Sequence, residues 1–130
     1  MPGNNDSLVL HVQYGLASVL LEGDAEAPSE RAMLAAHTIT PVTLLKVGHH
    51  GSRTSTTPAF FAAAAPRDAV ISVGRRNTFG HPRAEVLVRI AQAHTRLYRT
   101  DEFGLTRFFL TSTGDISESD NQQEHPAWFW

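Results

Sequence analysis

Apolar positions along the chain recur in short runs, and the spacing within each run predicts a strand or a helix. Alternating apolar and polar residues are typical of half-buried strands, and short continuous apolar runs are typical of strands buried on both faces. Six strands follow from these patterns: two in "SLVLHVQYGLASVLLEGD", then "VTLLKV", "DAVISV", "TRLYRT" and "GLTRFFLTS". The last two flank the segment "DEFG", which predicts a turn.

Three segments predict helices: "APSERAMLAAH", "TTPAFFAAAA" and "HPRAEVLVRIAQAH". Ser29 is the candidate N-cap of the first. Thr57 is the candidate N-cap of the second, with Pro58 at its first helical position, and Pro82 stands near the start of the third. The third is the most amphipathic, because its apolar residues fall on one face of the helix.

The resulting order, β-β-α-β-α-β-α-β-β, predicts an α/β fold with a mixed sheet whose centre is largely parallel. Periodicity is lost after residue 112. We therefore expect one domain over residues 1–112, followed by a polar tail over residues 113–130 that is disordered or peripheral.

Composition limits the classes of function. The chain has 130 residues and a formal net charge of −2, so any contact with nucleic acid must be local. Cysteine is absent, which excludes disulfides and thiolate metal sites. No apolar stretch approaches the roughly 20 residues that a transmembrane helix needs.

Polar residues collect where the predicted strands end, and in a parallel sheet those ends form one rim beside the ligand crevice. The candidates are Asp24 after the second strand; His49, His50, Ser52 and Thr54 after the third; Arg75, Asn77 and His81 after the fourth; and Asp101 after the fifth. Their convergence on one rim is stronger support for a site than any single residue.

Each candidate also has a structural interpretation. Asp24 fits a turn, and His81 fits the start of the helix that follows it. The hydroxyl-rich segment "SRTSTT" fits a turn and a helix cap, or the oxygens of a phosphate. The paired histidines fit a structural, a catalytic or a metal-binding role, and Arg75 fits a solvated surface or a phosphate clamp.

Taken together, a carboxylate and imidazoles at strand ends favour a metal centre. A carboxylate bridges two divalent ions, and such a centre generates hydroxide from bound water near neutral pH. Asp24 and His49 would supply two ligands, whereas catalytic zinc sites use at least about three. His50 or His81 would add one more, so the site is incomplete on this chain.

Several segments resemble the carboxyl-terminal region of ComEC-type competence proteins, which are bacterial DNA-internalisation proteins. The resemblance extends from Asn4 to about Leu110, and its most specific motifs are "KVGHHGSRTS" and "NTFGHP". It implies a metallo-β-lactamase-like αββα sandwich built from two similar halves, of which this chain resembles the second. The first half of such domains carries a His-x-His-x-Asp-His cluster, and no stretch of this chain has that pattern.

With the resemblance, the chemistry is assigned residue by residue. The assignment has Asp24 and His49 as metal ligands, with His50 as the alternative to His49; His81 and His50 as catalytic residues; and Ser52, Thr54, Arg75 and Asn77 as substrate contacts. The implied cofactor is a pair of divalent ions, zinc or manganese. The implied activity is nuclease chemistry, the hydrolysis of a DNA strand during internalisation, which this chain lacks without the other half.

The resemblance also implies partners: single-stranded DNA, the amino-terminal half of the domain, and the membrane channel of the same full-length protein. The chain would then be a soluble piece of a protein of the bacterial inner membrane. Half of a sandwich exposes the face that packs on the other half, so the isolated chain is expected to self-associate. The alternatives are a catalytically dead module for assembly or DNA docking, and another hydrolase of the metallo-β-lactamase superfamily.

Overall fold

The protein is described here as a computed structural model, which covers residues 3–120. Its strands and helices are β1 (Leu10–Tyr14), β2 (Ala17–Leu21), α1 (Ala27–Ala35), β3 (Leu44–Lys46), α2 (Pro58–Ala64), β4 (Asp68–Ile71), α3 (Ala84–Gln92), β5 (Arg96–Arg99), α4 (Thr100–Phe103), β6 (Thr106–Leu110) and β7 (Ile116–Asp120). Two 3-10 turns lie at Asn4–Asp6 and Gly48–Gly51. The predicted alternation of strands and helices is confirmed from β1 to β5, the short helix α4 stands where a turn was expected before β6, and the fold is α/β.

Five strands form one mixed sheet in the order β1-β2-β3-β4-β5. β1 runs antiparallel to β2, while β2, β3, β4 and β5 are parallel to one another. The predicted parallel centre is therefore confirmed. Because the parallel strands end at the same edge, the loops after β2, β3 and β4 start side by side.

The helices cover one face of this sheet. Leu45 of β3 and Ala69 and Ile71 of β4 are buried in one cluster with Phe60 of α2 and Ile90 of α3. Their burial follows the period of two along each strand, which sends alternate side chains to the same face. This helix-covered face holds the hydrophobic core.

The opposite face, here called the open face, is apolar but lacks helices among residues 3–120. In the ladder, Leu10 pairs with Leu21 and Val12 with Val19, so these side chains share one face. Leu10, Val12 and Tyr14 are all exposed, and Val12 keeps 50% of its accessible surface. An apolar strand face left in water is unfavourable for a monomer and marks an interaction surface.

A β-hairpin formed by β6 and β7 crosses part of the open face, and its turn reaches the β1–β2 turn, where the backbone N–H of Leu16 donates to the carbonyl of Ser112 at 2.8 Å. The rings of Tyr98 on β5 and Phe108 on β6 meet edge to face, with centroids 5.1 Å apart. Between hairpin and sheet lies a groove of about 580 Å³. Its apolar lining includes Leu21, Leu44, Val70, Leu105 and Phe108.

Part of the polar tail that we expect from residue 113 to be disordered or peripheral forms strand β7. β7 has the sequence "ISESD" and pairs with β6 along its whole length. Hydrogen bonds to β6 hold this strand, and neither of its faces is buried. Its sequence therefore lacks the hydrophobic periodicity from which a strand is predicted. The end of the tail, including His125 and the final "AWFW", lies outside the described residues, and the division at residue 112 stays a prediction.

Helix α1 begins earlier than predicted, with Glu26 and not Ser29 at the N-cap. The side chain of Asn5 accepts hydrogen bonds from the backbone N–H groups of Glu26 (3.2 Å) and Ser29 (3.4 Å). A residue distant in sequence thus satisfies the first turn, which local propensity does not reveal. The prediction for α2 is confirmed, with Thr57 at the N-cap and Pro58 in the first turn.

Helix α3 begins later than predicted, at Ala84 and not near Pro82. Arg83 is extended as the N-cap, and its backbone N–H donates to the carbonyl of Gly51 in the neighbouring loop at 2.9 Å. The segment expected as a turn at "DEFG" lies within and just after α4. Within residues 3–120, none of the helices has both the length and the apolar character needed to cross a bilayer.

Candidate functional site

Three loops meet at the carboxyl edge of the parallel strands and bring four predicted site residues together. Asp24 follows β2, His49 and His50 follow β3, and His81 follows β4. Nε2 of His50 lies 3.9 Å from Oδ1 of Asp24. The ring of His49 lies 5.8 Å from that of His81 and 6.2 Å from that of His50, measured between centroids. The predicted convergence is present, and the role of each residue stays a prediction.

The segment Gly48–Gly51, here called the histidine turn, has a strained backbone. His49 (φ 46°) and His50 (φ 55°) are consecutive residues in the left-handed region. Each costs about 1–3 kcal/mol, so surrounding contacts must enforce the conformation. One such contact is the hydrogen bond from the backbone N–H of His49 to the carbonyl of Gly23 at 2.9 Å. Strained residues of this kind cluster at functional sites.

His50 has a defined orientation. Its Nδ1 lies 2.7 Å from the backbone carbonyl of Ser72. A carbonyl can only accept, so in the neutral ring Nδ1 carries the proton and Nε2 keeps its lone pair. That free nitrogen is the one that faces Asp24. Asp24 therefore faces His50 across this edge. His50 is the residue that the sequence assignment gives as the alternative to His49 as a metal ligand.

His49 lies deeper and has an unsatisfied nitrogen. Its Nδ1 is buried and has no hydrogen-bond partner, and the nearest carboxylate oxygen is Oε1 of Glu26, 4.0 Å away. The neighbouring Thr54 side chain and the amide of Asn4 lower the pKa of Glu26, so this carboxyl group is ionised at neutral pH. Asn4 donates to Glu26 Oε1 at 2.7 Å. Sequence reasoning missed Glu26, although it stands only two residues after Asp24.

His81 ends a loop that Asn77 closes. The amide nitrogen of Asn77 donates to the carbonyls of Gly74 (3.1 Å) and His81 (2.8 Å), and its oxygen accepts from the N–H of His81 (2.9 Å). Asn77 thus shapes the loop, and its role as a substrate contact stays a prediction. Burial lowers the pKa of His81, and the adjacent His49 and Arg83 lower it further, so its ring is neutral at pH 7.

The other predicted substrate contacts differ in accessibility. Ser52 is buried, and its hydroxyl lies 2.9 Å from that of Thr54. Thr54 and Arg75 are exposed, and Arg75 lines the groove under the hairpin. Thr54 and Arg75 are therefore accessible to a ligand, and the role of all three residues as substrate contacts stays a prediction. The carboxylate of Asp101 pairs with Arg99 at 2.8 Å and not with a histidine.

A pair of fully buried glutamates, Glu22 and Glu30, lies beneath the histidine turn. Glu22 accepts hydrogen bonds from the N–H of Gly48 (3.1 Å) and the hydroxyl of Thr56 (2.7 Å). Glu30 accepts from the N–H of Thr57 at 2.9 Å, and both carboxyl groups accept from the N–H of Thr56. The pair joins the end of β2, helix α1 and the loop before α2.

Burial raises the pKa of Glu22 to about 9, and its hydrogen bond to Glu30 and the negative charge there add to this effect. Glu22 is therefore protonated at neutral pH. The carboxyl group of Glu22 also leaves no room for a side chain at position 48, because a Cβ on Gly48 would lie 2.6 Å from its Cδ. The sequence signal for Glu22 was a charged residue that closes the continuous apolar run "VLLEG".

Comparison with known proteins places most of the chain within much longer proteins. It is 37% identical over 105 residues to ComE operon protein 3 of Bacillus subtilis, which is 81% of this chain and 14% of that protein. It is 38% identical over 104 residues to Recombination protein 2 of Haemophilus influenzae, 80% of this chain and 13% of that protein. It is 35% identical over 112 residues to Competence protein ComA of Neisseria gonorrhoeae, 85% of this chain and 16% of that protein.

The chain thus spans about one-seventh of the length of the curated relatives it matches. No protein-family model matches it. Similarity at this level over most of the chain supports a competence-protein family and agrees with the resemblance noted from the sequence.

Proposed function

We propose that this chain is the second half of a metallo-β-lactamase-like domain in a competence protein, and that the whole domain hydrolyses DNA during uptake. The observation that carries the proposal is the convergence of Asp24, His49, His50 and His81 on one strained, braced edge of a parallel sheet. Similarity to proteins named for competence and recombination supports the DNA-uptake context.

The donors present fit part of a divalent metal site. Asp24 offers a carboxylate, and His50 offers a free Nε2 lone pair 3.9 Å from it. Although these side chains share one edge, no three His, Cys, Asp or Glu side chains within residues 3–120 are arranged so that they could hold one metal ion. We therefore assign the remaining ligands to the other half of the domain. A divalent ion bound there would supply a hydroxide nucleophile at neutral pH.

The chain's own residues have defined tasks in this proposal. Glu26 is the carboxylate nearest to the buried Nδ1 of His49, at 4.0 Å, and a hydrogen bond between them in the complete domain would orient that ring. The neutral ring of His81 can exchange a proton with a phosphate oxygen or leaving group. Arg75 and Thr54 are exposed beside the site and would contact phosphate oxygens.

The open face supports the half-domain proposal. Leu10, Val12 and Tyr14 present an apolar strand face to water, and the β6–β7 hairpin leaves them uncovered. Packing a second sheet against this face would bury them at the roughly 10 Å spacing of stacked sheets. In the full-length protein we place the domain beside a membrane channel of the bacterial inner membrane, with the DNA strand as its substrate.

Metal titration tests the proposal. Calorimetry with Mn²⁺ or Zn²⁺ should detect weak binding to this chain, and much tighter binding with nuclease activity once the preceding segment of the protein is joined to it. Asp24→Asn should reduce both, whereas Asp115→Asn, on the exposed turn of the hairpin, should change neither. If the extended protein bound no metal, the proposal would fail in favour of a non-catalytic docking module.

A further inference from the structure

Phe79 stands exposed beside the histidines. It lies in the loop between β4 and α3 and keeps 70% of its accessible surface. The loop is not loose at this point, because the side chain of Asn77 bonds to the backbone on both sides of it. The ordered loop thus keeps the apolar ring of Phe79 in water, although the hydrophobic effect favours its burial.

The ring borders a small cavity that contains the predicted catalytic side chains. The cavity has a volume of about 170 Å³ and is lined by His50, Val73, Gly74, Asn77, Phe79 and His81. It is smaller than the roughly 300–1,000 Å³ of pockets that enclose drug-sized ligands. The ring of Phe79 is nearly parallel to that of His81, with an interplanar angle of 25° and centroids 5.8 Å apart. Such a recess suits one flat ring lying against Phe79.

Cations accompany this aromatic ring. Arg75, Arg76 and Arg83 lie in or next to the same loop, and all three are exposed. Arg83 lies close enough to contribute to the lowered pKa of His81. An exposed aromatic ring and arginines on one loop are components of sites for single-stranded nucleic acid, in which bases stack and guanidinium groups contact the phosphates.

We propose that Phe79 is a stacking platform for one nucleobase of a single DNA strand, next to the phosphate that reaches His81. This inference rests on the proposed function and deepens it, because it names the residue of the loop that selects single-stranded DNA as the substrate. Bases within a duplex have their faces covered by their neighbours. The platform therefore favours a single strand or an unpaired end over an intact duplex.

The test compares two DNA probes of equal length and charge, an oligothymidylate and an oligomer of abasic sites. Fluorescence anisotropy with the metal-free chain should give at least about fivefold tighter binding of the oligothymidylate. Phe79→Leu keeps an apolar side chain but removes the aromatic face, so it should abolish that preference, whereas Phe79→Trp should retain it. Phe109→Leu on the hairpin, also exposed (57%), is the matched control and should leave the preference unchanged.

Equal affinity of the wild type for both probes would overturn the inference, as would a preference that survives Phe79→Leu. A Phe79→Leu variant that loses affinity for both probes equally would assign the ring to shaping the loop. Absence of any DNA binding would also overturn it. The metal titration decides the proposed function separately, so the two failures are distinguishable.

Discussion

At the scale of single residues, the site depends on groups that hold the histidines as much as on the histidines themselves. Ser72 fixes the ring of His50 through its carbonyl, and Glu26 faces the buried nitrogen of His49. Below them, Glu22 binds the N–H of Gly48 and so fixes the start of the histidine turn. A protonated, buried carboxyl group is an unusual choice for this position, and it makes the stability of the site dependent on pH.

We predict that Glu22→Gln alters the pH dependence of stability. The pKa of Glu22 rises from 4.5 to about 9 on folding, so the unfolded chain loses this proton at lower pH than the folded chain. The contribution of Glu22 is complete below pH 4.5 and is lost as the pH rises toward about 9. Glutamine cannot ionise, so the variant should lack this loss.

Urea denaturation across that pH range measures the effect as the free energy of unfolding. The wild type should lose stability relative to Glu22→Gln as the pH rises. Glu85→Gln, at an exposed position on α3, serves as the control and should follow the wild type. Parallel pH profiles for the wild type and Glu22→Gln would contradict a raised pKa at Glu22.

At the scale of elements, the strands and helices follow from local pattern, whereas their ends depend on remote contacts. Phe60, Val86 and Ile90 are buried on the helix-covered face, as the amphipathic spacing of α3 and the apolar content of α2 predict. The starts of α1 and α3 were misplaced because Asn5 and Gly51 act on them from other parts of the chain. No window of local sequence contains those partners.

The histidine turn gives a prediction at this scale. Gly48→Ala should destabilise the protein by about 1–3 kcal/mol, because the new Cβ would lie 2.6 Å from Cδ of the buried Glu22. Gly74→Ala is the matched control, since a Cβ there meets nothing within 4 Å. Thermal or urea denaturation measures both changes.

The cause can be isolated with a double mutant. In a Glu22→Ala background the carboxyl group is gone, so Gly48→Ala should cost markedly less than it does in the wild type. Additive effects of the two substitutions would show that the clash with Glu22 is not the reason for glycine at this position.

At the scale of the whole molecule, the sheet has one covered face and one open face. The apolar side chains of β1 lie on the open face and stay exposed, although the turn of the β6–β7 hairpin contacts the β1–β2 turn at Leu16. Within the described residues, β1 is also an edge strand paired only with β2, so its outer backbone groups can add a further strand. Both features favour association through this region.

We predict that the isolated chain self-associates through β1 and that Val12→Lys shifts it toward monomer. Val12 lies on the open face and is exposed, so a charge there opposes apolar packing without disturbing the core. His11→Lys adds a lysine on the opposite side of the same strand and is the matched control. Sedimentation velocity over a concentration series measures the change.

A wild-type chain that remains monomeric at every concentration would contradict this prediction. It would also weaken the half-domain proposal, because the open face would then need no partner.

The sequence by itself determined the α/β alternation, the parallel centre and the set of polar residues that meet at its edge. These features depend on hydrophobic periods and on residues that directly follow strands, and both are local properties. Only the tertiary structure decided that His50 opposes Asp24, that Glu22 and Glu30 lie paired beneath the turn, and that Phe79 stands exposed beside His81. Those relations join segments distant along the chain, so they exist only once the strands lie side by side.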